Sequence, residues 1–224
     1  MGVSPRKPHL LETHLVLITL IQYEGDTIMC GRFLFGEEAY LNSLEIAHMP
    51  KWIQEELHFG EIYPTQSALV LKKNPEGEGL EGAVMKFGYS YTRSGSDRKQ
   101  LIINARSETV DSKWMFRSAF AHDRVVVVAS AFYEWTADKQ KVTYYEPDQT
   151  LYIGAIAKDD GFVILTKDAN ESVRDVHHRM PVLFDAAQAK IWIERDDLAK
   201  DLMDTVSPLL DHSPFVSHAQ GRLF

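Results

Sequence analysis

Four short stretches of this chain carry side chains whose types and spacing could do chemistry. The first is Met29-Cys30-Gly31-Arg32-Phe33, which holds the only cysteine directly after an internal methionine. A bacterial-type methionine aminopeptidase removes an initiator Met when the next side chain is small, as Cys is. With Met29 as a true start, Cys30 would carry an α-amine and a thiol on adjacent carbons. The thiolate is a strong nucleophile, and the amine can condense with an aldehyde to a Schiff base. Together they can close a five-membered thiazolidine ring on that aldehyde. The plainer alternative is a buried structural cysteine, the usual fate of a lone one. The second stretch is Phe132-Tyr133-Glu134-Trp135, a carboxylate wedged among three aromatics. Buried there, Glu134 would have a raised pKa and suit proton transfer near neutral pH; exposed on an edge, it would be an ordinary surface acid. The third is His177-His178-Arg179-Met180-Pro181. Neighbouring histidines rarely share one metal, and no cysteine partner or HxxxH spacing supports zinc. One histidine acting as a general acid fits better. The fourth, Asn104-Ala105-Arg106-Ser107-Glu108-Thr109, supplies an amide and an arginine. No Gly-rich phosphate loop, Walker motif or GxSxG elbow competes with these.

The elements that must position these groups read as mixed helix and strand from Cys30 onward. Residues 30–35 suggest a short strand. Residues 37–47 have helical spacing, with Tyr40, Leu41, Leu44 and Ala47 on one face. A turn marked by Pro64 precedes a strand at 68–72, a solvated Gly- and Glu-rich loop at 74–82 and a strand at 84–89. Residues 90–100 are polar, read as mobile, and form a first basic patch with Arg93, Arg98 and Lys99. A strand at 101–103 leads into Asn104, and 114–121 suggests a short helix. Val125-Val126-Val127-Val128-Ala129, opened by Arg124, is the continuous apolar run of a fully buried strand. Residues 150–156 and 161–166 resemble a hairpin. A polar helix after Thr166 then delivers His177, and a strand at 182–184 follows. Residues 185–203 form an amphipathic helical region, with Ile191-Trp192-Ile193 packing on the core, and the tail shows little periodicity.

At 224 residues and 45% hydrophobic, the chain has enough material for one large domain with a proper core, and no linker-like stretch divides it. A single Cys excludes an intramolecular disulfide and suits a reducing cytoplasm. A formal net charge of -8 argues against a histone-like binder but leaves room for a locally basic cleft. Residues 1–28 are expected to lie outside the working domain. The apolar run Leu15-Val16-Leu17-Ile18-Thr19-Leu20-Ile21 is too short to span a bilayer, and Gln22-Tyr23-Glu24-Gly25-Asp26 is no signal-peptide cleavage site. Glu24-Gly25-Asp26 can be encoded by a purine-rich ribosome-binding sequence, with Thr27-Ile28 as spacer before Met29. The segment is therefore read either as leader from a start placed too early or as a propeptide removed before Cys30.

Taken together and in this order, Cys30-Gly31-Arg32-Phe33, Asn104-Ala105-Arg106-Ser107-Glu108-Thr109, Phe132-Tyr133-Glu134-Trp135 and His177-His178-Arg179-Met180-Pro181 resemble the SRAP family. These are the SOS-response-associated peptidases, also described as abasic-site processing proteins. Departures exist: Phe87-Gly88 stands where the family usually has Trp-Gly, Ala131 where it often has Gly, and His178 where Asp or Asn is common. The Pro64 turn also lacks the Asn found in many members. The resemblance implies an α+β single domain with a curved, barrel-like, mainly antiparallel β-sheet and peripheral helices. It implies a groove for single-stranded DNA carrying an abasic site, whose ring-opened aldehyde the Cys30 amine and thiol would trap. Asn104 would hold the N-terminal residue, Glu134 would move protons, and His177 would assist sugar ring opening. Arg32 and Arg106 would grip flanking phosphates, with Phe87 and Arg179 completing the expected DNA-contacting set. Arg106 could instead pair with Glu108. The expected protein is a cytoplasmic monomer, nucleoid-associated on DNA, with no cofactor, metal or membrane role. Two other readings stay open: a Cys-dependent peptidase acting on its own N-terminus, and a non-covalent single-strand binder with a structural Cys.

Overall fold

The computed structural model of the chain describes residues 30–92, 95 and 99–214. The expected leader at 1–28, the basic residues Arg93 and Arg98, and residues 215–224 lie outside the described residues. Strand β1 (Phe33–Phe35) runs into α1 (Glu37–Ser43), whose first turn carries Glu37 and Glu38, where the helix dipole favours acid. Short pieces β2 (Ala47–His48) and α2 (Ile53–Glu56) lead to β3 (Gly60–Ile62) and the Pro64 turn. Next come β4 (Ser67–Lys73), β5 (Leu80–Phe87), β6 (Tyr89–Thr92), β7 (Lys99–Ile102) and β8 (Asn104–Arg106). Helix α3 (Arg117–His122) precedes β9 (Arg124–Ala129), β10 (Ala131–Trp135), β11 (Lys141–Tyr145), β12 (Leu151–Lys158) and β13 (Gly161–Asp168). The chain continues through β14 (Arg179–Pro181), β15 (Leu183–Phe184), α4 (Ala186–Glu194), α5 (Ala199–Met203) and β16 (Asp211–Pro214). Among the described residues, no helix is long and apolar enough to cross a membrane.

Strands β13, β12, β9, β4 and β5 pair in that order and antiparallel, and β5 then pairs back in parallel onto β13. The path therefore closes on itself. β9 is buried at every position, as its unbroken apolar run requires. Closure brings backbones unusually near: a Cβ on Gly161 would lie 2.5 Å from the Gly88 carbonyl oxygen and 3.0 Å from that of Lys86. Gly88 itself turns at φ +88, a region that L side chains rarely adopt. Beyond this point β8 takes over the free edge of β13, setting Asn104 opposite Ile164.

A second sheet, ordered β16-β11-β10-β1-β3, is antiparallel throughout. Register pairs Phe33 with Phe132, Glu134 with Val142 and Phe132 with Tyr144. Strand alternation then puts Phe33, Phe132, Glu134, Val142 and Tyr144 on one face. That face meets the closed sheet, because the Phe33 ring lies 5.5 Å from Phe87, which stacks on Phe162 at 5.2 Å. The whole is an α+β single domain of mainly antiparallel, curved sheet with short helices outside. Helix α4 starts from a full capping box, Asp185 accepting from the Gln188 N–H and Gln188 returning the bond.

Several expectations need correction. Helix α1 ends at Ser43 and turns Ala39, Tyr40 and Ser43 inward, leaving Leu41 and Leu44 exposed, so the apolar spacing at 37–47 did not mark the buried face. Residues 90–100, read as a mobile loop, contribute the paired strands β6 and β7. The strand expected at 84–89 starts four residues earlier at Leu80, paired along β4. The polar helix after Thr166 does not form: β13 continues to Asp168, and a run of turns held by Asn170 and Val173 carbonyls carries the chain to His177. The non-periodic tail supplies β16, because pairing with β11 satisfies its backbone whatever its side chains are.

Candidate active site

The centre of the site is a meeting of β1's entry and β10's end, residues 104 positions apart in the chain. Cys30 is buried, with the left-handed backbone φ of 41 that few non-glycine residues adopt. Its backbone N–H donates to Glu134 Oε1 at 2.7 Å, and its thiol Sγ donates to the same oxygen at 3.1 Å. One carboxylate oxygen thus faces both groups that the sequence singled out. Glu134 is itself only 2% exposed, so the surface-acid alternative is excluded. Burial pushes its pKa up to about 7, against the pull of the Cys30 hydrogen bonds, which stabilise the anion. Burial and the neighbouring Glu134 charge push the Cys30 thiol well above its usual value, so it rests as a neutral thiol. A neutral thiol beside a half-ionised carboxylate is a base and its proton donor in contact.

His177 is buried and accepts the Arg179 backbone N–H on Nδ1 at 3.0 Å, so the neutral ring carries its proton on Nε2. Its pKa is lowered, first by burial and then by the stacked His178, whose ring centroid is 4.5 Å away. His177 makes no hydrogen bond to Cys30 or Glu134 among the described residues. Tyr144 feels the charge at the centre of the site: its phenol is raised to about 12 by burial and then by Glu134 and Asp175. Asn104, on β8, has a buried Nδ2 with no hydrogen-bond partner among the described residues. Such an orphan donor costs on the order of 1–3 kcal/mol.

The four residues expected to contact DNA fare differently. Phe87 is fully buried between Phe33 and Phe162 at the barrel closure, so it has no face to offer a base, and this expectation is corrected. The Arg179 guanidinium is also buried. It grips Glu108 with both terminal nitrogens, at 2.5 and 2.8 Å, and donates to Asp168 at 2.7 Å and to the Thr166 carbonyl at 2.6 Å. Its fork is occupied by protein acids and ties β14 to β13 and to the turn after β8. Glu108, the alternative partner named for Arg106, is gripped by Arg179, and Arg106 adds its field. Arg106 is exposed on β8. Arg32 is partly buried and lies over two rings, 4.4 Å from the Tyr63 centroid and 4.9 Å from that of Trp135. Neither ring was singled out as a partner of Arg32 from the sequence. Trp135 sat in plain view next to Glu134, but no local pattern pointed from the Pro64 turn to Arg32.

The model of the family described as SOS response associated peptidase (SRAP) matches residues 29–218. Abasic site processing protein YedK of Escherichia coli (strain K12) is 28% identical over 189 residues, covering 77% of this chain and 83% of the relative. Abasic site processing protein YoqW of Bacillus subtilis (strain 168) is 25% identical over 198 residues, covering 80% and 86% respectively. Among solved structures, a phage-related protein from Bordetella bronchiseptica aligns with a TM-score of 0.63 at 25% identity, over 83% of this chain and 94% of that one. A protein from Bacteroides thetaiotaomicron aligns with a TM-score of 0.67 at 17% identity, over 84% and 93%, a likeness of fold alone.

Proposed function

Because the chain belongs to the SOS response associated peptidase (SRAP) family over residues 29–218, we propose that it captures abasic sites in single-stranded DNA through a covalent bond to Cys30. Its relatives are named abasic site processing proteins, and an abasic site equilibrates with a ring-opened aldehyde. Removal of residues 1–29, by a start at Met29 followed by its excision or by cleavage of a propeptide, frees the Cys30 amine. The observation that carries the reading is the shared acceptor: Cys30 N and Sγ both reach Glu134 Oε1, at 2.7 and 3.1 Å.

The chemistry then runs as two additions. The amine nitrogen bonds to the aldehyde carbon; its protons and the carbonyl oxygen depart as water, leaving a C=N bond. The thiol sulfur adds to that carbon, its proton passing to Glu134 and from there to the nitrogen, which closes the thiazolidine. Glu134 is suited to both steps because burial holds it near the point of half-ionisation at neutral pH. His177, neutral and protonated on Nε2, donates a hydrogen bond to the sugar oxygen as the ring opens. The unpartnered Asn104 amide holds the new N-terminal residue. Arg32 and Arg106 bind flanking phosphates, a positioning role without sequence reading. The protein works as a monomer in the cytoplasm and associates with the nucleoid through the damaged strand.

The test uses chain begun at Met29 and processed to Cys30, incubated with a single-stranded oligonucleotide carrying an abasic site. Mass spectrometry should find one adduct, equal to the sum of both masses less one water, that survives denaturation. Cys30→Ala should lose the heat-stable adduct, though its amine can still give a borohydride-trappable Schiff base. Chain retaining residues 1–28 should be inert, since its Cys30 nitrogen is an amide. An undiminished heat-stable adduct from Cys30→Ala would refute the thiazolidine.

A further inference from the structure

Three arginines are wholly or partly withdrawn from solvent at or beside the sheets, and they differ in what their donors meet. Both terminal nitrogens of Arg179 are taken, by Glu108, Asp168 and a carbonyl, and only its buried Nε lacks a partner among the described residues. Arg124 is saturated by the carbonyls of Trp192, Phe120 and Ala121 and by Asp196. Arg32 meets two aromatic rings instead, and among the described residues no acid hydrogen-bonds to its guanidinium. The acid that reaches it by its field is Glu61, whose oxygens are already taken by Lys141 Nζ and by the Tyr63 hydroxyl, the latter at 3.0 Å. Ring contacts fix the plane of a guanidinium while satisfying none of its five N–H donors. The result is a charged fork held in one plane with its hydrogen bonds still to be made.

Its placement is equally specific. The Arg32 carbonyl accepts the Tyr133 N–H at 3.1 Å, which pins its backbone to β10. Trp135 directly follows Glu134, and Arg32 lies two residues after Cys30. The same two segments that bring the nucleophile to its acid/base group therefore also set this fork.

We propose that Tyr63 and Trp135 are positioning residues, their rings holding the Arg32 guanidinium in the plane in which it takes the two free oxygens of a phosphodiester beside the lesion. The inference rests on the reading of single-stranded DNA as substrate. Planar bidentate recognition is what a guanidinium offers and an ammonium does not.

Binding is measured apart from the covalent step, on chain begun at Met29, which holds every described element, carrying Cys30→Ala. The probe is an undamaged fluorescent single-stranded oligonucleotide. Tyr63→Leu and Trp135→Leu should each weaken binding about 5- to 10-fold, the scale of a partly desolvated cation–π contact. Tyr63→Phe keeps the ring, loses only the bond to Glu61, and should bind within about 2-fold of the parent. In an Arg32→Ala background, Tyr63→Leu should add nothing, because its effect runs through Arg32. With Cys30 restored and abasic DNA saturating, the adduct rate should hold while the half-saturating concentration rises. Should a Leu variant fail to fold, Arg32→Lys leaves both rings and the charge in place and should still weaken binding about 5-fold or more. The proposal is overturned if Tyr63→Phe is as weak as Tyr63→Leu, if the Leu effect persists without Arg32, or if Arg32→Lys binds normally. A parent protein that does not bind single strands at all sinks the substrate reading first, and this inference with it.

Discussion

At the scale of single residues, the proposed reaction takes much of its pH dependence from Glu134. Burial raises the pKa of Glu134 to about 7, so it is a competent base only above that value, while the raised Cys30 thiol keeps its proton until Glu134 takes it. Adduct formation should therefore rise with pH as Glu134, raised by burial, and the freed Cys30 amine both lose their protons, and then level off. Glu134→Gln should slow the reaction by about 10²-fold and leave only the part of that rise that belongs to the Cys30 amine, as read by gel-shift kinetics across pH. His177→Ala should slow it on a similar scale of about 10²-fold, with binding to intact strands unchanged. The same shift has a stability consequence of definite sign. A carboxyl raised from 4.5 unfolded to about 7 folded is fully favourable below 4.5 and loses that contribution as pH climbs through about 7. The loss is on the order of 3 kcal/mol. Melting of wild type and Glu134→Gln should therefore diverge in favour of the variant between pH 4.5 and 7.5, and parallel melting curves would argue that Glu134 is better solvated than its burial implies.

At the scale of elements, two junctions hold the sheets in register. The first is the closure of β5 onto β13, where the backbones approach too nearly for a side chain at Gly161. Gly161→Ala would drive its Cβ into two carbonyl oxygens that cannot rotate away, and should cost about 1–3 kcal/mol by chemical denaturation. The second is the Arg179 hub, which joins β14, the end of β13 and the turn carrying Glu108. Arg179→Lys cannot span both Glu108 oxygens and should destabilise the domain by about 2 kcal/mol or more. Its effect on the salt dependence of DNA binding should be nil, since the fork is already filled. A reduced salt slope with unchanged stability would instead return Arg179 to the DNA-contacting set.

At the scale of the whole molecule, the proposed function asks an acidic protein to bind a polyanion, and the segments of the chain differ in charge. Exposed acid gathers at Glu37-Glu38 and Glu55-Glu56 on the first helices, at Glu76 and Glu78 in the β4–β5 turn, and at Asp196-Asp197, where Arg124 and Arg195 pair with it. Arg32, Arg106 and Lys99 belong to other segments, β1's entry, β8 and the start of β7, with Glu61 in the field of Arg32 and Glu108 in that of Arg106. Affinity for undamaged single strands should be modest and fall steeply with salt. Arg106→Ala should flatten the slope of log affinity against log salt by about 0.7, the loss of one single-strand phosphate contact. An unchanged slope with a lower melting temperature would make Arg106 a structural residue.

What the sequence determined by itself was the set of candidate residues and the strands whose pattern is local. The four motifs name Cys30, Asn104, Glu134 and His177 without any coordinates, and the run after Arg124 could only be a buried strand. Each rests on residue types or on period-two and continuous apolar runs, which neighbours along the chain suffice to set. What only the tertiary structure decided depends on partners far away in sequence. Cys30 meets Glu134 across 104 positions, and Phe87 is buried because β5 closes onto β13. Arg179 faces inward to Glu108 while Arg32 lies over the rings of Tyr63 and Trp135, although as isolated residues the two arginines look alike. An arginine carries the same five donors wherever it stands, and only the folded neighbourhood settles whether an acid already holds them.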